Sequence, residues 1–298
     1  MLQLRVTVPA PLSEQVVALF REDPAVSALI LHPGAALAPA GDLVTADVPR
    51  EAVNDLVDRL VEIGVPREGT IHVQPVPTWV SQRGLAAERL IPGASADAVV
   101  WADVTQRAYD ETELNWTYLS FMTMATVLAS IAIVLDSQIL VIGAMVLGPE
   151  FVAVAALGLS LVRRRRTLLA SAARTLLVGF AVAIAVTTLL SLVGRAAGWI
   201  DVADLTTERD GTAFIYTPDR WSFLVALLAG AAGTLSLTSA KVGGLSGVFI
   251  SVTTVPAAGN VALGLAFGLW DEVGGSTLQL VVNIAGMALA GWAALALQ

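Results

Sequence analysis

The chain of 298 residues contains no cysteine, two histidines and a single lysine. Without cysteine it can form no disulfide and no cysteine-based zinc or redox site. His32 and His72 are too few for a histidine-rich metal site. The net charge of −8 argues against nucleic acid as a partner. We therefore expect no metal, no cofactor and no nucleic-acid ligand.

Motifs of common enzymes are also missing. The sequence has neither HExxH nor GxSxG, it has no paired acids at metal-ligand spacing, and it has no Walker A motif. We expect that the protein is not an enzyme. Any transport by this chain would draw on an ion gradient rather than on ATP.

What the chain has in excess is apolar sequence, since 56 % of its residues are hydrophobic. The charge is uneven: residues 1–115 hold 16 acids and 8 arginines, whereas residues 116–298 hold 9 acids and 9 bases. This contrast predicts an acidic soluble part followed by a membrane part. The start, MLQLRVTVPAPL, lacks the basic and apolar regions of a signal peptide, so we expect the soluble part in the cytoplasm.

Residues 1–79 alternate between strand and helix patterns. The predicted strands are 2–8, 26–32 (ending at Pro33-Gly34), 42–48 and 70–76, and the predicted helices are 13–22 and 51–64. The order βαββαβ is the split βαβ, ferredoxin-like pattern, which predicts a regulatory or assembly domain. Residues 80–115 are predicted as a linker, with 95–116 an amphipathic helix.

Residues 116–298 contain six runs of roughly the 20 residues that cross a bilayer. The predicted spans are 116–135, 138–162, 167–194, 221–240, 242–268 and 276–297. Four arginines, 163–166, lie between the second and third spans, which predicts a cytoplasmic loop there. The N-terminus and Lys241 then lie inside as well. The acidic loop 195–220, with Asp271 and Glu272, lies outside.

The membrane part resembles itself at an offset of roughly 100 residues. VLASIAIVL (127–135) resembles LLAGAAGTL (227–235), and residues 143–161 resemble 249–267, with Pro149 matched to Pro256 and an ALGL tetrad in both. Three spans per unit (116–194 and 221–297) require that the second unit be inserted upside down. Inverted repeats with interrupted helices are typical of secondary transporters. We therefore predict an α-helical inverted 3+3 repeat behind a ferredoxin-like domain.

The stretch VIGAMVLGPEFVAV, residues 141–154, interrupts the second span with proline and a carboxylate. Pro149 removes a backbone donor and clashes with the preceding turn, which predicts a broken helix at Gly148-Pro149. The freed groups must be buried in protein or line a wet cavity. A carboxylate at that depth costs roughly 3 kcal/mol or more unless it is paired, protonated or hydrated. Glu150 is therefore either a proton, cation or substrate site or a structural carboxyl.

This region resembles an uncharacterised bacterial membrane family, domain of unknown function 389. The resemblance is carried by DSQILVIGAMVLGP (136–149) and the later Pro-containing repeat, and covers about 116–270. Ile142-Gly143-Ala144-Met145 and Gly148-Pro149 match the family's pattern, whereas many members have an apolar residue in place of Glu150. The resemblance implies a multi-pass membrane protein and no established activity.

The candidate site residues come from both halves of the membrane part. They are Gly148, Pro149, Glu150, Thr253, Thr254, Pro256, Asn260, Asp136 and Arg174. Pseudo-symmetry would place the polar residues around Pro256 opposite Glu150. Asp136 is either a solvated loop residue or part of a re-entrant tip. Arg174 either extends to the cytoplasmic surface or pairs with Glu150, and Asn283 is a polar residue between helices.

Two functions fit these features. The first is a secondary transporter or channel-like permease in the inner membrane, for an unidentified small solute or ion. The second is a non-transporting receptor or sensor that binds a small ligand or lipid. In both, the partners are the bilayer, the ligand and further copies of the chain, because small-residue runs such as LLAGAAG favour helix contacts in a homo-oligomer.

Overall fold

The computed structural model describes residues 1–93, 98–206, 209, 211–216, 220–238 and 254–297. It divides into two compact units, the first within Met1–Thr105 and the second beginning at Gln106. The predicted residue Thr253 lies outside the described residues, as does Lys241.

The first unit has a four-stranded antiparallel sheet covered by helices. Its elements are β1 (Leu2–Val8), α1 (Ala10–Glu22), β2 (Ala28–Leu37), β3 (Ala40–Val48), α2 (Val53–Glu62), α3 (Val65–Glu68) and β4 (Thr70–Pro75). The strand order is β2-β3-β1-β4. The predicted βαββαβ order is confirmed, with the short helix α3 added before the last strand.

Hydrophobic periodicity explains this sheet. Alternate residues of β1 are buried, from Leu2 to Val8, because successive side chains of a strand point to opposite faces. Leu56 and Leu60 of α2 are buried on the same core, as their four-residue spacing requires.

The second strand extends beyond its predicted end. Pro33-Gly34 does not terminate β2, which continues to Leu37 with an irregular register between His32 and Ala36. Proline is tolerated there because β2 is an edge strand and Pro33 lies at a bulge. Gly34 adopts a φ of 64°, and its N–H donates to the Asp42 carboxylate at 2.8 Å.

The linker contains two helices, one that was not predicted and one that lies inside the predicted range 95–116 and is shorter than expected. The helices are α4 (Gln82–Leu90) and α5 (Trp101–Glu111). The second ends before residue 116 because Asn115 caps the next helix, its side-chain oxygen accepting from the Tyr118 N–H at 2.8 Å.

The second unit is all helical. Its helices are α6 (Trp116–Val134), α7 (Gln138–Leu147), α8 (Glu150–Val162), α9 (Arg166–Ala196), α10 (Val202–Thr206), α11 (Arg220–Thr238), α12 (Thr254–Phe267) and α13 (Trp270–Leu297). Among the described residues, α6, α9 and α13 are long and apolar enough to cross a membrane, and α7 with α8 makes a fourth candidate, bent by 57°. The last helix begins six residues before its predicted start, so Asp271 and Glu272 lie in its first turn rather than in a loop.

Large apolar side chains cover the outer faces of these helices. Leu189 on α9, Leu228 on α11 and Leu278 on α13 are each more than half exposed. Exposed aliphatic surface on several long helices is typical of proteins whose outer face contacts lipid rather than water.

Candidate functional site

The predicted helix break at Gly148-Pro149 is confirmed. Helix α7 ends at Leu147, Gly148 is extended with a ψ of 128°, and α8 begins directly after Pro149. The residue before a proline disfavours the helical conformation, and the proline ring cannot continue the preceding helix. The break leaves Glu150 as the first residue of α8, where its side chain is fully buried.

The second proline has a different local setting from the one predicted. Thr254 was expected before the break, but it is helical, and Pro256 lies two residues further along α12. The description of this helix begins at Thr254, since residues 239–253 lie outside the described part of the chain. Both prolines thus lie within two residues of the contact between Glu150 and Thr254.

The start of α8 meets the first described residue of α12. The Thr254 hydroxyl donates to Oε1 of Glu150 at 2.6 Å, and both residues are fully buried. A Cβ added at Gly148 would overlap the other carboxylate oxygen of Glu150 and a methyl group of Val255. Gly148 therefore leaves room for the carboxylate between the two helix ends.

The two short helices run in opposite directions. Helix α8 packs against α9 after the tight turn 163–165, so the two are antiparallel. Helix α12 is parallel to α9, because Thr188 donates to the Ala262 carbonyl at 3.3 Å and Arg195 donates to the Ala266 carbonyl at 3.0 Å. It follows that α8 and α12 run in opposite directions, and that the contact between Glu150 and Thr254 joins the N-terminal side of each described helix.

The meeting point lies near the middle of both long helices. Counting back along α8 and α12 at 1.5 Å per residue places Glu150 and Thr254 at about the level of Gly179 in α9. The pairing of Asn260 with Ser276 places Thr254 at about the level of Asn283 in α13. Since both long helices are membrane-span candidates, the carboxylate lies far from either helix end.

The electrostatics of this point combine one carboxylate with the N-terminus of α8. That N-terminus carries a partial positive charge and stabilises a nearby anion, by up to about 1 kcal/mol for Glu150 in its first turn. The Tyr118 hydroxyl is buried within the electrostatic range of Glu150, and it has no hydrogen-bond partner in the described part of the chain. A carboxylate and a threonine thus meet at one buried position, with a buried tyrosine in the same region of the unit.

Asn260 is not part of this contact. Its amide nitrogen donates to Glu272 at 3.0 Å and to Ser276 at 2.9 Å, both on α13. Six residues separate it from Thr254, which corresponds to about 9 Å along the helix. Asn260 therefore belongs to a neighbouring polar group.

The remaining predicted residues lie elsewhere. Asp136 has a φ of 45° in the turn between α6 and α7, and its carboxylate accepts from Gly211 and Thr212. Arg174 is exposed on α9 and forms no ion pair with Glu150 among the described residues. Asp136 thus fastens a loop at one end of the unit, and Arg174 is free to extend toward a surface.

Sequence reasoning missed a polar face on α13. Ser276, Gln279 and Asn283 are fully buried, and Glu272 precedes them by one turn. Their spacing of three and four residues was visible as a signal, because it places all four on one helix face. The prediction had started this span at 276 and had treated Glu272 as a loop residue.

These features indicate a class, a helical membrane protein with two short helices meeting at a buried carboxylate. Residues 145–289 match the model of a family described as domain of unknown function (DUF389). This match confirms the family that the sequence resembles, and it includes Gly148, Pro149, Glu150 and the whole of α12. Comparison with curated proteins and with solved structures gives no significant match.

Proposed function

We propose that the protein is a secondary transporter or channel-like permease for a small solute or ion, with its site at Glu150 and Thr254. One observation carries the proposal: two oppositely directed short helices meet at a buried carboxylate midway along two long helices. Secondary transporters bind substrates and coupling ions at such interrupted helices, where the helix ends supply charge that lipid cannot.

Helix directions support an inverted repeat of six spans. Helix α6 runs parallel to α9. Just before α6 begins, the Thr112 carbonyl accepts from the Thr175 hydroxyl, and further along both helices Tyr118 packs on Gly179. Helix α11 runs parallel to α13, since Gly230 packs on Met287 and Thr234 on Gly291. The helices α9 and α13 are antiparallel, because α12 is parallel to one and forms a hairpin with the other. Within each half, the first and last helices are therefore parallel to each other. The helices of one half run opposite to the corresponding helices of the other, as the proposed inverted repeat requires.

The setting in the cell is part of the proposal. The arginines 163–166 favour a cytoplasmic turn between α8 and α9, which places the N-terminal domain in the cytoplasm of an inner-membrane protein. That domain would regulate or assemble the transporter, and small-residue helix faces favour a homo-oligomer. Glu150 would carry the coupling charge by binding and releasing a proton or cation.

A thermal-shift screen of the purified full chain against metabolites and ions tests the proposal. A ligand that binds the folded state raises the melting temperature by mass action. We expect a hit on the wild type that is lost in Glu150→Gln and kept in Asp201→Asn, a charge-matched control at an exposed site. Flux of the same hit into liposomes should then depend on Glu150.

Two outcomes contradict the transporter. A hit that survives Glu150→Gln and is also bound by residues 1–93 alone would favour the receptor function. A hit that needs Glu150 but is never moved across liposomes would leave a binding protein. In the second case the carboxylate is a ligand-binding group without a transport role.

A further inference from the structure

Helix α13 carries a buried polar row that the Glu150 site does not explain. The row consists of Glu272, Ser276, Gln279 and Asn283, on one face of an otherwise apolar helix. The last three are fully buried. Over eleven residues the row spans about 16 Å, from the first turn of α13 to the level where Glu150 meets Thr254.

Along this row, the buried side-chain atoms that lack a hydrogen-bond partner among the described residues are oxygens. A carboxylate only accepts hydrogen bonds, so the amide nitrogen of Asn260 must face Glu272, and its carbonyl oxygen is left over. The side-chain carbonyl of Gln279 is also left over, because its nitrogen is the atom directed at Asn283. Neither oxygen has a partner in the described part of the chain.

Unpartnered buried oxygens favour a cation. Leaving such a group unsatisfied costs about 1–3 kcal/mol, so these positions suit water or a passing ion. Along the helix axes, the two oxygens lie at levels between Glu272 and Glu150, whose negative charges lower the energy of a cation and raise that of an anion. Small monovalent cations are the class of ligand that fits this lining.

An arginine closes the far end of the row. Arg209 is only 4 % exposed, and its guanidinium donates to Oε1 of Glu272 at 2.6 Å. Its Nε and Nη1 groups are buried without hydrogen-bond partners among the described residues, and its guanidinium lies 5.0 Å from the Tyr216 ring. A buried guanidinium with unused donors gains hydration when it moves into water, so this pair is a contact that can open.

We propose that the row from Glu272 to Asn283 is the path by which a small monovalent cation reaches Glu150, and that the Arg209–Glu272 pair closes its outer end. The proposal rests on the proposed transport function and deepens it, because it names the ion class and its route. In the closed arrangement, the positive charge of Arg209 lies where the cation would enter.

The absence of cysteine makes this path directly measurable. Single cysteines at Ser276, in the row, and at Leu278, on the exposed apolar face of α13, can be compared without background reaction. Silver ion is the probe, since it is a small monovalent cation that reacts with thiolates. The full chain in lipid nanodiscs is exposed to silver nitrate, and the remaining thiol is counted with a fluorescent maleimide after denaturation.

We expect Ser276→Cys to react at least about tenfold faster than Leu278→Cys, because a thiol facing lipid forms little thiolate. Arg209→Ala should accelerate the reaction at position 276 further and leave position 278 unchanged. Glu272→Gln weakens the same pair by removing its negative charge, and it keeps the length of the side chain. It therefore tests the contact even if Arg209→Ala misfolds. An anionic methanethiosulfonate should react more slowly than its cationic counterpart at position 276.

Replacing choline by sodium at constant pH separates the two cation sources. Slower silver reaction in sodium identifies sodium as the ion in the path, and an unchanged rate identifies the proton. The proposal is overturned if position 276 reacts no faster than position 278 in both the Arg209→Ala and Glu272→Gln backgrounds. That result would leave Glu150-dependent ligand binding intact. If instead the transport function is wrong, Glu150-dependent flux is absent while Ser276→Cys stays accessible.

Discussion

At the scale of single residues, the site depends on the space that Gly148 leaves for a carboxylate. Its φ of −69° is open to any residue, so the glycine is required by its neighbours rather than by its backbone. A side chain there would collide with Glu150 and Val255. The smallest possible substitution therefore perturbs the site directly.

We expect Gly148→Ala to lower the free energy of unfolding by about 1–3 kcal/mol, as overpacking in a tight interior does. It should also abolish any ligand stabilisation that depends on Glu150. Thermal unfolding in detergent, with and without the ligand, measures both effects. The control is Gly143→Ala on α7, where a new Cβ meets only Leu128 at an ordinary 3.9 Å. Equal behaviour of the two variants would show that Gly148 has no special place in the site.

The hydroxyl of Thr254 can be removed without changing side-chain shape. Thr254→Val should cost about 2 kcal/mol, because it leaves a buried carboxylate oxygen without its charge-assisted hydrogen bond. Thr254→Ser keeps the hydroxyl and should cost less. Thr187→Val on α9 is the matched control, since that buried hydroxyl has no partner among the described residues. Denaturant unfolding that ranks Thr187→Val as the more damaging change would contradict the assignment.

At the scale of elements, α8 is an ordinary apolar helix whose starting point matters. Pro149 fixes where α8 begins, so the site is formed by the end of this helix, where Glu150 meets Thr254 of α12. In the sheet of the first unit, one carboxylate holds the irregular β2–β3 hairpin. Asp42 accepts from the Gly34 amide at the bulge.

The hairpin should depend on pH. Hydrogen bonds from Ser13 and from the Gly34 amide lower the pKa of Asp42 below its usual 3.8. A lowered folded-state pKa means that the carboxylate stabilises the fold above the unfolded pKa and that this contribution is lost as pH falls through the folded value. We expect Asp42→Asn to speed amide exchange at Gly34 near pH 7, and the difference from the wild type to shrink as pH falls through the folded-state pKa of Asp42. Asp58→Asn on α2 is the control, and a difference that stays constant with pH would contradict the role of the charge.

At the scale of the whole molecule, helix direction is the property that separates a transporter from a simple anchor. The described residues contain up to four membrane-span candidates, and the proposed inverted repeat requires six. The proposed topology places the turn after α8 and the loop after α9 on opposite sides of the bilayer, because α9 is one of the span candidates.

Labelling of intact cells checks this arrangement. We expect Asp201→Cys to react with a membrane-impermeant maleimide from outside, and Arg165→Cys to react only after permeabilisation. Both positions are exposed, and the chain has no other cysteine. Labelling of both residues from the same side would exclude α9 as a span, and the reverse pattern would place the N-terminal domain outside the cytoplasm.

Patterns among residues close in the sequence were enough to predict most of the strands and helices. Alternation in β1, four-residue spacing in α2 and the Gly148-Pro149 pair each act over a few neighbouring residues, so the sequence predicted the βαββαβ order of elements and the helix break. The same rules failed where a neighbour in space decided the outcome. Asn115 ended the linker helix by capping α6, and the edge position of β2 allowed a proline inside a strand.

The sequence by itself determined that a carboxylate lies at a broken apolar helix and that a similar segment with a proline follows about 106 residues later. Only the tertiary structure decided which polar groups meet. Glu150 pairs with Thr254 across 104 residues, whereas Asn260 turns to Glu272 and Ser276. The physical reason is that α8 is apolar on nearly all of its faces, so periodicity does not reveal which face is inside. Packing of α8, α9, α12 and α13 supplies that information through long-range contacts alone.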